Sequence, residues 1–143
     1  MMNKSRFGLS MKIVSKKEHQ LNGYLVIFYL SKDGRLLVDV IDEESDSHSY
    51  IEGFLHHWSD FGDIKEDLIP MIDSVKNGYS VNEFVSSEIS CAYIESETTF
   101  FIHESDIGEG KIEAAKDPNR HMPTSIFEKI ILKWVEFLES QGR

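Results

Sequence analysis

A single cysteine, Cys91, excludes an internal disulfide, so the 143 residues must be held together by packing alone. A lone thiol suits a reducing compartment, and the expected location is the cytoplasm. Long apolar runs are also missing. The longest, Tyr24 to Leu30, is seven residues, against the roughly 20 that a membrane-spanning helix needs. Residues 1–10 lack the apolar stretch of a signal peptide and read as a mobile leader, with Met11 as an alternative start. Bases are scarce where acids are dense. Between residues 39 and 110 only Lys65 and Lys76 stand against eighteen Asp and Glu, a net charge of −16. Residues 1–20 carry the opposite balance, five bases against Glu18. An acidic field of that length repels nucleic acid and anionic membrane and attracts cationic partners, although acidity also serves solubility.

What is present suffices for one domain over residues 1–143, since a chain of this size can bury a substantial core. Phe127, Ile130, Ile131, Trp134 and Leu138 recur at three- and four-residue intervals and predict an amphipathic helix over 125–139. Ser125 and Glu128 have the spacing of a capping box. The strongest strand signal is Gly23 to Asp42, two apolar runs around Asp33-Gly34. A two-residue turn there pairs Phe28 with Asp39 and Ile27 with Val40. With both its faces apolar, the first of these strands belongs inside a sheet. A short strand is expected over 11–15. A second hairpin is expected around Ser96-Glu97; that turn lacks glycine, so its register is open, and a two-residue turn would set Tyr93 against Phe100 and Cys91 against Ile102. Ser49 to Phe61 reads as a short helix. Ile64, Leu68, Ile72 and Val75 read as another, capped by Asp63 with Glu66, kinked or delayed by Pro70, and ended by Asn77-Gly78. Asp106 to Met122 reads as an irregular connection. The fold class is therefore α+β: an antiparallel sheet of four to five strands, with helices on one face, including the C-terminal helix.

Candidate chemistry is sparse. His48, His56, His57 and His103 sit among carboxylates and could suggest a small metal-binding or hydrolytic enzyme. However, adjacent helical residues point about 100° apart, so His56 and His57 do not chelate together. Cys91 lies in an alternating apolar strand and reads as a small buried hydrophobe. The serines and glycines match no nucleophile, phosphate-loop or dinucleotide pattern. The expectation is accordingly no catalytic residue, no cofactor and no metal. Two features read as recognition. Asp39, in an otherwise apolar strand, stands at a sheet margin or is presented to a partner. The Phe54 to Phe61 segment, with Trp58, joins the acidic stretches 42–46 and 60–67, as aromatic anchors ringed by carboxylates would; the alternative, favoured for Phe54 and Trp58, is that these aromatics are core.

In size, acidity and the layout of β-hairpins with a closing Phe127…Trp134…Phe137-Leu138 helix, the chain resembles bacterial polymorphic-toxin immunity proteins, including those of contact-dependent growth inhibition. The resemblance rests on that layout; the family shares no motif to transfer residue by residue. It implies a cytoplasmic antitoxin that binds a cognate, basic toxin domain, for instance a nuclease, and occludes its active site without chemistry of its own. The expected contact residues are Asp39, Asp42, Glu43, Glu44, Asp46, Trp58, Asp60, Phe61, Asp63, Glu66 and Asp67. An acidic interaction module with another protein partner remains the alternative to immunity and to the histidine enzyme.

Overall fold

Alternating apolar side chains lay down two antiparallel four-stranded sheets. In the first, β1 (Ile13–Leu21), β2 (Tyr24–Ser31), β3 (Leu36–Asp42) and β4 (Ser47–His48) pair in chain order; in the second, β5 (Asn82–Val85), β6 (Cys91–Glu95), β7 (Thr98–Ile102) and β8 (His121–Pro123) do the same. The structure is a computed structural model and describes residues 12–86, 90–103 and 109–142. The expected leader lies outside these. The fold is α+β with a C-terminal helix, and among the described residues the strands divide into two sheets of four. β1 runs well past the expected 11–15. As an edge strand it carries exposed Lys16, Lys17 and Glu18, charges that discourage further pairing. β2 is interior, flanked by β1 and β3.

The first β2–β3 hairpin differs from its expected register by one residue. Ser31 N–H donates to the Arg35 carbonyl at 2.9 Å, which leaves Lys32, Asp33 and Gly34 as a three-residue loop. Gly34 takes φ +86°, the left-handed position that closes such loops. Ile27 therefore faces Asp39, and Phe28 faces Val38. A one-residue slip exchanges the faces of a strand relative to its partner. Val26, Phe28, Val38 and Val40 consequently form the core side, while Asp39 joins Ile27 and Tyr29 on the other. The β6–β7 hairpin has the expected register, Tyr93 opposite Phe100 and Cys91 opposite Ile102.

Between the sheets, α1 (Ile51–His57) is followed by a helical run with three parts: α2 (Phe61–Asp63), a π-helical turn (Ile64–Leu68) and α3 (Ile69–Lys76). The run starts earlier than expected, because Asp60 rather than Asp63 caps it, accepting from Asp63 N–H at 3.1 Å. Pro70 has no N–H to donate, and its ring would strike the Glu66 carbonyl in a regular helix. The π turn widens the chain just before it, with Ile69 N–H reaching back to the Ile64 carbonyl. Beyond Lys76, Gly78 at φ +78° lets Tyr79 N–H bond the Ser74 carbonyl at 2.9 Å, ending the helix where Asn77-Gly78 predicts. The supposedly irregular 106–122 connection contains α4 (Gly110–Lys116) and β8.

α5 (Thr124–Ser140) buries Ile126, Phe127, Ile130, Ile131, Trp134, Val135, Phe137 and Leu138. It touches β1 and β2 of one sheet and β7 and β8 of the other, so one cluster of buried side chains unites both sheets with α1 and α3. The Trp134 ring lies 5.0 Å from that of Phe28, and its Nε1–H donates to the Trp58 carbonyl at 2.6 Å. Each large side chain so buried contributes about 1.5–3 kcal/mol of transfer free energy. The expected Ser125–Glu128 capping box does not form. Glu128 accepts instead from Lys76 Nζ at 2.7 Å, and Thr124 ties the start of the helix to β6 and β7 through the Glu95 carbonyl and Thr99 Oγ1. No helix among the described residues is long and apolar enough to cross a membrane.

Candidate functional site

Two places in the fold gather the chemistry-bearing residues, one exposed and one buried. The exposed place begins at the β3–β4 turn. Asp42 is half-buried and its carboxylate accepts from Glu44 N–H at 3.0 Å, which turns the chain and leaves Glu43, Glu44 and Asp46 exposed. Glu43 N–H donates to the Gly23 carbonyl at 2.9 Å, and its carboxylate meets the Gln20 side-chain amide. The turn is thereby pinned beside the β1–β2 connection. Lys65, on the second acidic stretch, and Ile69 beyond it line a groove with Leu21, at the end of β1. On the second, Asp60, Asp63, Glu66 and Asp67 are exposed; the base among them, Lys65, pairs with Glu139 at 3.1 Å and lies 5.4 Å from the centre of the Phe61 ring.

The aromatic members of the expected contact set are less available. Trp58 is half-buried and stacked on Phe54 at 6.0 Å, and Phe61 is half-buried; both lean on the core. Asp39 is a correction. It is fully buried, neither at a sheet margin nor presented to a partner, and its Oδ2 accepts from the Tyr29 hydroxyl at 2.9 Å. The register explains this, because Asp39 shares a face with Tyr29 once the loop is counted as three residues.

The buried place is built around Asp39. His48 stands opposite Ile41 across β3–β4, which sets it diagonally beside Asp39 on the same face, with Nδ1 3.6 Å from Asp39 Oδ1. Immediately after β4 the chain turns into α1, and Glu52, in the first helical turn, comes back to the sheet. Its Oε2 lies 2.6 Å from His48 Nδ1 and accepts from Val40 N–H at 2.7 Å. β4 is only two residues long, so this carboxylate serves a β3 amide that a longer strand would have paired. The ligand-capable atoms of Asp39, His48 and Glu52 all lie within 4.8 Å of one another.

A cavity of about 480 Å³ opens beside this cluster, lined by His48, Glu52, His56, His103, Tyr50 and Arg120 among others. Arg120 holds its guanidinium over the Tyr50 ring at 5.5 Å. Three of the four histidines singled out in the sequence thus share one cavity. His57 does not line it; its ring stands edge-on to that of His56 at 5.6 Å. Cys91 is fully buried in β6, as its alternating context implies. Glu52 and Arg120 were not legible as site residues. Glu52 follows His48 by four, but the interval spans a strand, a turn and a helix start, so neither helical nor strand periodicity reveals the contact. No protein-family model, curated protein or solved structure gives a significant match to this chain.

Proposed function

We propose that this protein is an immunity protein that binds a cognate basic toxin domain, such as a nuclease, and neutralises it by covering the active site. The supporting observation is the exposure of two acidic segments, Glu43 to Asp46 and Asp60 to Asp67. Both lie on a turn and on helix starts, elements that commonly carry recognition on a rigid scaffold. Their charges draw a cationic partner in and repel nucleic acid, so the protein competes with a nuclease's substrate for the same basic groove. Trp58 and Phe61, half-buried beside the second segment, provide apolar area for the docked state. Binding of this kind requires no bond-making, and takes place in the cytoplasm where such toxins act.

The test is kinetic. A toxin domain encoded immediately upstream is the candidate partner, and co-expression should protect cells from it. Converting Asp42, Glu43, Glu44 and Asp46 together to their amides should lower the association rate about tenfold at low ionic strength and flatten its salt dependence. Dissociation should change less, because rim charges act mainly before docking. Association of that variant at the wild-type rate at low salt would remove the loop from the recognition surface.

A further inference from the structure

The buried cluster carries a second inference, independent of the toxin reading. We propose that Asp39, His48 and Glu52 form a site for one divalent transition-metal ion, zinc by preference, at the edge of the cavity lined by His56, His103 and Arg120. The donor set consists of one imidazole and two carboxylates from three separate elements, β3, β4 and α1. Asp39 is fully buried and Glu52 is 8% exposed, so both carboxylates reach the site already stripped of most hydration. The imidazole favours zinc over magnesium or calcium, which take oxygen donors.

The geometry is close to what coordination needs. Donors bound to one zinc at about 2.0–2.2 Å lie no more than about 4.4 Å apart, and roughly 3.3 Å in a tetrahedral arrangement. Asp39 Oδ1 and His48 Nδ1 are 3.6 Å apart, and no pair in the set exceeds 4.8 Å. The 2.6 Å contact between His48 Nδ1 and Glu52 Oε2 is a hydrogen bond whose proton the ion would displace.

The surroundings already orient the donors. The Tyr29 hydroxyl engages Asp39 Oδ2, and the Val40 amide holds Glu52, as outer partners do at metal centres. Access comes from the cavity: the His48 side chain is 31% exposed, and both His48 and Glu52 line the open space. Positions of the ion not taken by the three side chains would face that space, where water or a ligand can enter.

Untagged protein, stripped with chelator and titrated with zinc chloride in a calorimeter, should bind one ion per chain. Cobalt(II) in its place should give the visible absorption of a low-coordinate site with a nitrogen donor. His48→Ala should weaken zinc binding by about a hundredfold or more, and chelator should lower the melting temperature of wild type but not of this variant. His57→Ala, outside the cavity, should bind as wild type does. Glu52→Gln should match His48→Ala; if it fails to fold, the half-exposed His48 carries the test alone. No binding up to millimolar zinc would overturn the proposal. So would wild-type affinity in His48→Ala, or binding of magnesium in preference to zinc.

Discussion

Glu44 and Glu52 carry the same side chain only eight residues apart, and their surroundings are opposite. Glu44 projects from the β3–β4 turn into water, within a run of exposed acids. Glu52 is folded back beneath that hairpin, accepting from the Val40 amide and hydrogen-bonded to His48. An exposed carboxylate keeps its hydration, so it adds little to stability and much to the long-range field. A buried one has given up hydration and is tolerable only with donors or a cation in place, so it becomes part of the architecture. Acidity in this protein therefore does two kinds of work, and sequence position does not separate them. Burial does.

The strongest perturbation lies on the apolar side that defines what burial means here. Trp134→Ala removes the ring packed on Phe28 and the bond to the Trp58 carbonyl, and should cost about 3–5 kcal/mol in chemical denaturation. An unchanged melting temperature would show that α5 does not close the core. Next comes the direct contrast of the two glutamates. Glu52→Ala strands the Val40 amide and should cost about 2–3 kcal/mol, whereas Glu44→Ala should stay within about 0.5 kcal/mol. Equal effects would dissolve the distinction between the two acidic regions. The amide variant of Asp42, Glu43, Glu44 and Asp46 sharpens it from the other side: its folding stability should match wild type within about 1 kcal/mol while association with the proposed toxin partner slows. The smallest effect is expected at Lys76, whose pKa is raised by its hydrogen bond and charge interaction with Glu128. A raised lysine pKa stabilises the fold below the unfolded value, and that contribution is lost as pH rises through the folded one. The pair is exposed, so Lys76→Ala should leave the melting temperature at neutral pH nearly unchanged.

The two hairpins show how far local pattern carries. Around Ser96-Glu97 no glycine marks the turn and the local pattern leaves the register open; the two-residue turn forms, and Tyr93 meets Phe100. Around Asp33-Gly34 the turn dipeptide is the stronger signal, yet it specifies the glycine and not the loop length. Ser31 decides that: its N–H pairs with the Arg35 carbonyl, and its Oγ accepts from Arg35 N–H at 3.0 Å. Both registers give apolar neighbours along β2 and β3, so hydrophobic alternation alone does not choose between them. One residue of slip moves Asp39 from the side of Phe28 to that of Tyr29, and with it the whole buried cluster.

By itself the sequence determined the amphipathic stripe of α5, the positions of the main hairpins, the glycine that ends α3, and the exposure of most acids between residues 42 and 67. These depend on periodicity and turn chemistry within about ten residues of chain. Tertiary structure alone decided the division into two sheets, the replacement of the Ser125–Glu128 cap by contacts to Lys76 and β6, and the meeting of Asp39, His48 and Glu52. It also brought His48, His56 and His103 to one cavity and left His57 outside. Those outcomes turn on which face a strand presents and where a helix returns to a sheet. Such choices are made by the packing of elements distant in sequence, after local preference has been satisfied.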